Sequence, residues 1–126
     1  MAEPDPSPEQ FRELMLTDEP ELDDVLACVF NIQRHEAQTY EVLLDSPGST
    51  VEELAGNLDR DRSNVNRSLS TLREKGLANR ERRLLDGGGH VYQYNPTPLS
   101  EARELMHETL DAWAEYVHER IDEFGE

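Results

Sequence analysis

The chain has 126 residues, a formal net charge of −16 and a single cysteine, Cys28. That length suits one compact domain plus an extra helix and excludes two independent cores, while a lone thiol excludes an internal disulfide and a thiolate metal cage. Taken as a sum, the acid excess argues against a nucleic-acid partner, because binding phosphates calls for positive charge.

From Met1 to Glu9 the chain is rich in proline and acid, with neither a basic start nor an apolar run. No signal peptide is read there, and no stretch approaches the ~20 apolar residues that span a bilayer. A soluble cytoplasmic protein without a membrane partner is expected. Residues 1–19 read as a flexible acidic arm, with a short helix from Pro8 to Leu16. Leu22, Val25, Leu26, Val29 and Phe30 then recur at helical spacing and predict a first core helix. A second is expected over Arg34–Leu44, ended by the Ser46-Pro47-Gly48 turn. Thr50-Val51-Glu52-Glu53 fits a capping box, so a short helix is expected over Val51–Leu58.

After a brief connection another helix is expected from Ser63 to Lys75, with Gly76 where a C-cap prefers glycine. Val65, Leu69 and Leu72 form its apolar stripe, which turns Asn64, Arg67, Ser68 and Thr71 outward. A short helix, a tight turn and an amphipathic helix with a polar, basic outer face make a helix-turn-helix. The period then changes. Leu77–Leu85 and His90–Asn95 alternate as two strands around Asp86-Gly87-Gly88-Gly89, a ribbon placed where a wing belongs. Asn95-Pro96-Thr97-Pro98 stops the strand, with Thr97 as the expected N-cap and Pro98 opening a helix.

That last helix is expected over Leu99–Phe124, roughly 26 residues and about 39 Å long. Leu99, Leu105, Met106, Leu110, Trp113, Val117, Ile121 and Phe124 mark its apolar stripe. A helix this long projects beyond a small domain, and a second copy of the chain is the simplest cover for that stripe. The expected fold is therefore mainly α with a small β-hairpin: the arm, a winged helix-turn-helix over 20–96, and a dimerisation helix over 97–126.

Charge is distributed as unevenly as structure. Eight of the twelve basic residues fall between Arg60 and Arg83, where only Asp61, Glu74 and Glu81 interrupt them. One basic island in an acidic chain is a directed surface. Eleven arginines against one lysine, with excess acid, resemble the composition of proteins from halophilic organisms, whose carboxylates keep the surface hydrated in concentrated salt.

The run from Val29 to Leu77 resembles the winged-helix domain of archaeal TrmB-type regulators; MarR- and PadR-type regulators share parts of the pattern. The resemblance rests on Glu36, Ala37, Tyr40 and Leu43, then Thr50, Glu53, Leu54 and Ala55, then Leu72, Lys75, Gly76 and Leu77. TrmB-type proteins often continue into a separate effector-binding domain, where this chain has one helix. The resemblance implies the fold and DNA binding, with a dimer helix as a common companion. It also implies that the 63–75 helix enters the major groove, where arginine pairs with guanine and asparagine with adenine. Arg60, Arg62, Ser63, Asn64, Asn66 and Arg67 are the expected contacts on that side, Asn66 lying nearest the apolar stripe. Arg80, Arg82 and Arg83 would reach the backbone or minor groove from the wing, joined by His90. A dimer would then read an inverted repeat in double-stranded DNA, its half-sites about 34 Å apart.

No enzyme is expected. The 87–89 glycines follow a strand and open no helix, so they do not cradle a phosphate. His35, His90, His107 and His118 are scattered, leaving no metal-ligand pair, and no cofactor is implied. Cys28 reads as a small core residue, and Trp113 and Tyr116 as packing rather than a ligand pocket. No small-molecule effector can be identified. The competing class is an interaction module, a winged helix that docks on protein or an acidic DNA mimic. A mimic would put carboxylates on the outer face of the 63–75 helix, where this chain has arginine and asparagine.

Overall fold

The computed structural model describes residues 8–125. The expectation of a flexible arm over residues 1–7 lies outside the described residues. Those described form α1 (Pro8–Leu16), α2 (Leu22–Phe30), α3 (Arg34–Asp45), α4 (Val51–Leu58), α5 (Arg62–Glu74), β1 (Ala78–Leu84), β2 (His90–Pro96) and α6 (Leu99–Asp122). The fold class is the expected one: mainly α, with one antiparallel ribbon.

The apolar periods decide what packs. Leu26 and Phe30 of α2, Ala37, Tyr40 and Leu43 of α3, Leu54 of α4 and Val65, Leu69 and Leu72 of α5 close one core, capped by Leu77, Tyr94 and Ala102. The residues that carried the family resemblance are therefore mostly core. Tyr40 is fully buried, and its hydroxyl donates to the Thr97 carbonyl at 2.6 Å. That burial pushes the phenol up to about 12, so it stays a neutral donor. Glu36 accepts from the Gln33 amide at the start of α3, and Thr50 and Glu53 form the expected reciprocal cap on α4.

Two helix ends set the path of the chain. α5 stops in a Schellman turn: Leu77 N–H reaches Leu72 O, Gly76 N–H reaches Arg73 O, and Gly76 takes φ +79°. A side chain at Gly76 would also meet Leu105 of α6. α6 begins at Leu99 with Pro98 as its N-cap, one residue after the expected Thr97. The Thr97 hydroxyl donates to Gly76 O and its amide to Leu77 O, which turns the side chain toward the end of α5. These bonds tie the root of α6 to the end of α5.

α1 is the expected short helix, and it is folded onto the domain rather than carried in a free arm. It packs on α2, and its Phe11 stacks on Trp113 of α6 at 4.7 Å between ring centroids. Trp113, expected in the apolar stripe of the last helix, thus has one face against a ring of its own chain and remains half-buried.

Acids crowd where α2 meets α3. Arg34 pairs with Asp23 and Asp24 at 3.2 and 2.6 Å. Glu41 has no such partner among the described residues; burial first, then Asp23, Glu21, Asp45 and Asp24, raise its pKa. A carboxyl whose folded pKa is raised favours the fold when protonated and opposes it as pH rises through that pKa. Glu41→Gln is therefore expected to raise the melting temperature at neutral pH. The gain should vanish below the ordinary glutamate range, as thermal denaturation at the two pH values would show.

Candidate nucleic-acid interface

α5 is held at its start by Asp61, whose carboxylate accepts from the Asn64 amide at 3.2 Å and, more weakly, from the Ser63 hydroxyl at 3.5 Å. The helix thus begins at Arg62, one residue before the expected start. Its buried arc comprises Val65, Ser68, Leu69 and Leu72. Ser68 was expected outward but is buried, because α3 and α4 both pack on α5 and widen the covered arc beyond one stripe. Asn64 and Thr71 are only half-exposed. The outer face centres instead on Ser63, Arg67 and Ser70, flanked by Arg62 and Asn66, all exposed. Ser70 was missed, and Asn66 is more open than its position beside the stripe suggested. An arc drawn wide enough for two packing helices would have found both.

Asn64 and Arg67 form a pair, one turn apart. The Arg67 guanidinium donates to the Asn64 side-chain oxygen, so Asn64 aims Arg67. Arg60 lies half-buried in the turn before α5, its amide bonded to Ala55 O.

The ribbon stands beside this helix, fixed at its base. Tyr94 and the turn before α4 exchange main-chain bonds, Gly48 N–H to Tyr94 O and Tyr94 N–H to Ser49 O, both 2.8 Å. The Gln93 amide adds a bond to Gly48 O. The register pairs Arg80 with Tyr94, Arg82 with Tyr92 and Arg83 with Val91. Successive strand residues point to opposite faces, so Arg80 and Arg82 share a face with His90, Tyr92 and buried Tyr94. Arg83 lies on the other face with Glu81. The three wing arginines, grouped in the sequence, are thus divided between two faces.

Arg80 is the most constrained of them. Its guanidinium lies 4.0 Å from the Tyr92 ring centroid and reaches the Tyr94 hydroxyl at 3.5 Å. The Tyr94 contact leads in raising its pKa further. His90 meets Tyr92 edge-on. Between this face and α5 runs a groove of about 410 Å³, bordered by Thr50, Arg62, Asn66, Arg80, His90 and Tyr92. Helix and wing therefore adjoin across this furrow, where Arg62 and Arg80 face one acid, Glu52. Arg82, Arg83 and the tip Asp86–Gly89, where Gly88 and Gly89 take positive φ, are exposed.

Residues 26–100 match the family model described as sugar-specific transcriptional regulator TrmB. The chain belongs to the TrmB family. The uncharacterized protein MJ1082 of Methanocaldococcus jannaschii is 30% identical over 105 residues, covering 83% of this chain and 87% of that protein. A solved structure of a possible transcriptional regulator from Methanosarcina mazei Go1 is 27% identical with a TM-score of 0.75, over 86% of this chain and 92% of that one. TrmBL2, described as an archaeal chromatin protein with a novel mode of DNA binding, shares the fold at a TM-score of 0.61 and 22% identity. The match covers 80% of this chain and 35% of TrmBL2. This TrmB-type protein is thus a winged-helix transcription regulator whose family resemblance is carried by core and capping residues.

Along α6 the apolar residues divide by use. Leu105 and Met106 pack on the chain's own core, and Leu110, Trp113 and Val117 are half-buried. Leu99, Ile121 and Phe124 are exposed, the last two at 55% and 70%. Among the described residues no cluster of histidine, cysteine and carboxylates could hold a metal, and no helix is long and apolar enough to cross a membrane.

Proposed function

We propose that this TrmB-family protein is a homodimeric, sequence-specific regulator that reads double-stranded DNA, with α5 in the major groove and the wing on the flanking backbone. The observation that carries the reading is that the exposed α5 face, Arg62, Ser63, Asn66 and Arg67, adjoins the Arg80–Arg82 face of the wing across one furrow in which Arg62 and Arg80 outnumber the single acid Glu52. An acidic protein that placed its arginines at random would not gather them on adjoining faces of two elements. Arg67 and Asn66 suit base edges, whereas Arg82 and Arg83, on opposite faces of the ribbon, suit phosphates on either side of it. The DNA mimic is disfavoured by the same surface, because its centre carries arginine and asparagine. The test is fluorescence anisotropy with the protein's own upstream DNA and a random duplex of equal length, across a range of KCl concentrations. Selective binding is expected; equal affinity for both duplexes would overturn the sequence-specific reading.

Tyr92 serves this surface indirectly, by stacking under Arg80 and holding it toward the furrow. Tyr92→Ala should weaken binding to the cognate and the random duplex alike, by about 0.5–2 kcal/mol, the range of a stacked cation. An unchanged Kd would show that Arg80 needs no platform.

The dimer is supported by the exposed end of α6. Ile121, in the last turn of α6, continues the stripe of Leu110, Trp113 and Val117. Phe124 lies two residues past the end of the helix, which stops at Asp122 rather than at the expected Phe124. Both are exposed, as is Leu99 at the start. The variant carrying Ile121→Glu and Phe124→Glu is expected to sediment as a monomer while keeping its helical circular dichroism. Sedimentation identical to wild type would place the dimer contact elsewhere. A dimer related by twofold symmetry presents two copies of α5 to an inverted repeat.

A further inference from the structure

The outer end of the wing carries an apolar residue that the core does not use. Leu84, the last residue of β1, is 73% exposed, and Leu85 beside it is 47% exposed. The register sets Leu84 opposite His90. Alternation then puts it on the face of Arg80, Arg82, Tyr92 and Tyr94, the face that borders the furrow to α5. His90 meets Tyr92 edge-on, and Leu84 stays open beside it. No carboxylate of the two strands stands on that face: Glu81 is on the other, and Asp86 lies in the turn beyond. A leucine open to water in line with two arginines fits a partner that is apolar inside and anionic at its edges. Stacked bases between two rows of phosphates have that character.

The tip is also slender. Gly88 N–H bonds to Leu85 O and Leu85 N–H to Gly89 O, both at 3.1 Å, closing a tight turn. Gly88 and Gly89 answer to their positive φ. Gly87 has neither a positive φ nor any neighbour that a side chain would meet, so the chain itself does not require glycine there. Its bareness keeps the tip narrow, as entry into a minor groove about 6 Å wide demands.

We propose, building on the DNA-binding reading, that Leu84 is a wedge: it enters a base step from the minor groove, Arg82 holds the phosphate beside it, and the opened step bends the duplex. Apolar side chains inserted in this way unstack a step and kink the helix toward the major groove. The cost of opening is least at flexible pyrimidine–purine steps such as TA and CA. Leu84 therefore selects the sequence flanking each half-site without making a hydrogen bond to it.

The test uses the full chain and duplexes of its own upstream DNA, one labelled at both ends for energy transfer, the others carrying 2-aminopurine at successive positions. Wild type is expected to bend the duplex by about 20–90° and to raise 2-aminopurine fluorescence at one step beside each half-site. Leu84→Ser, at an exposed position, should keep the melting temperature and sedimentation of wild type, remain bound at saturating protein, and lose both signals. Leu84→Phe, another apolar wedge, should keep them. Bend and fluorescence unchanged in Leu84→Ser would overturn the inference. So would altered sedimentation of that variant without DNA, which would assign the leucine to a contact with a second copy of the chain. Binding by wild type without a bend would overturn this inference and leave the proposed function standing, whereas no binding to any duplex would overturn both.

Discussion

Arg67→Ala is expected to cost roughly 1–3 kcal/mol of binding to the cognate duplex and distinctly less on a random duplex. The asymmetry follows from geometry. Arg67 sits at the centre of the exposed arc of α5 and is aimed by Asn64 one turn before it, the arrangement a base-reading side chain needs. Arg82 lies on the ribbon instead, with no side-chain partner fixing it among the described residues, so Arg82→Ala should weaken both duplexes by a similar factor. Arg67→Lys should not restore the lost discrimination, because an ammonium has no planar fork to match a guanine edge. Asn64→Ala should lower specificity in the same direction as Arg67→Ala. The double variant should fall short of the sum, since the two side chains act as a pair. Anisotropy with both duplexes, for all five variants, checks these expectations together.

Leu69→Ala is expected to destabilise the fold by about 2–5 kcal/mol, as the loss of a fully buried leucine does where the surroundings cannot collapse. Leu69 has no exposed surface and lies in the core where α3, α4 and α5 converge. Total stability for a domain of this kind is about 5–15 kcal/mol, so the variant should unfold at a much lower urea concentration. Its DNA affinity at low temperature should stay close to wild type, because Leu69 faces the core. A urea midpoint equal to wild type would contradict the packing described for α5.

The contrast between these two leucine and arginine positions explains what could be read from the sequence. Element order and fold class were legible because burial imposes periods: Leu26 and Phe30, Ala37 and Tyr40, and Val65, Leu69 and Leu72 repeat at helical spacing, and all are buried. Caps are local chemistry, so the Thr50–Glu53 box was visible without any tertiary information. The family resemblance was legible for the same reason, since Ala37, Tyr40, Leu43, Leu54, Leu72 and Leu77 are core residues whose spacing the fold dictates.

What depends on contacts between elements was not legible. Ser68 and Ser70 differ by two positions, yet one is buried and the other exposed, because the buried arc of α5 is set by two neighbouring helices. Nothing in the local sequence marks Phe11 as the ring that stacks on Trp113. Thr97 resembled an N-cap by composition, but its hydroxyl had a nearer use on Gly76 O. The division of the wing arginines could have been found: adjacent strand residues take opposite faces, which separates Arg82 from Arg83 in any register.

The central claim is that this surface reads a particular DNA sequence as a twofold pair. Selection of bound sites from a pool of random duplexes, in buffered KCl, tests it most directly. The account predicts enrichment of an inverted repeat whose half-site centres lie about one helical turn, ~10–10.5 base pairs, apart. Pools that remain random after repeated rounds, while still binding the protein, would contradict it.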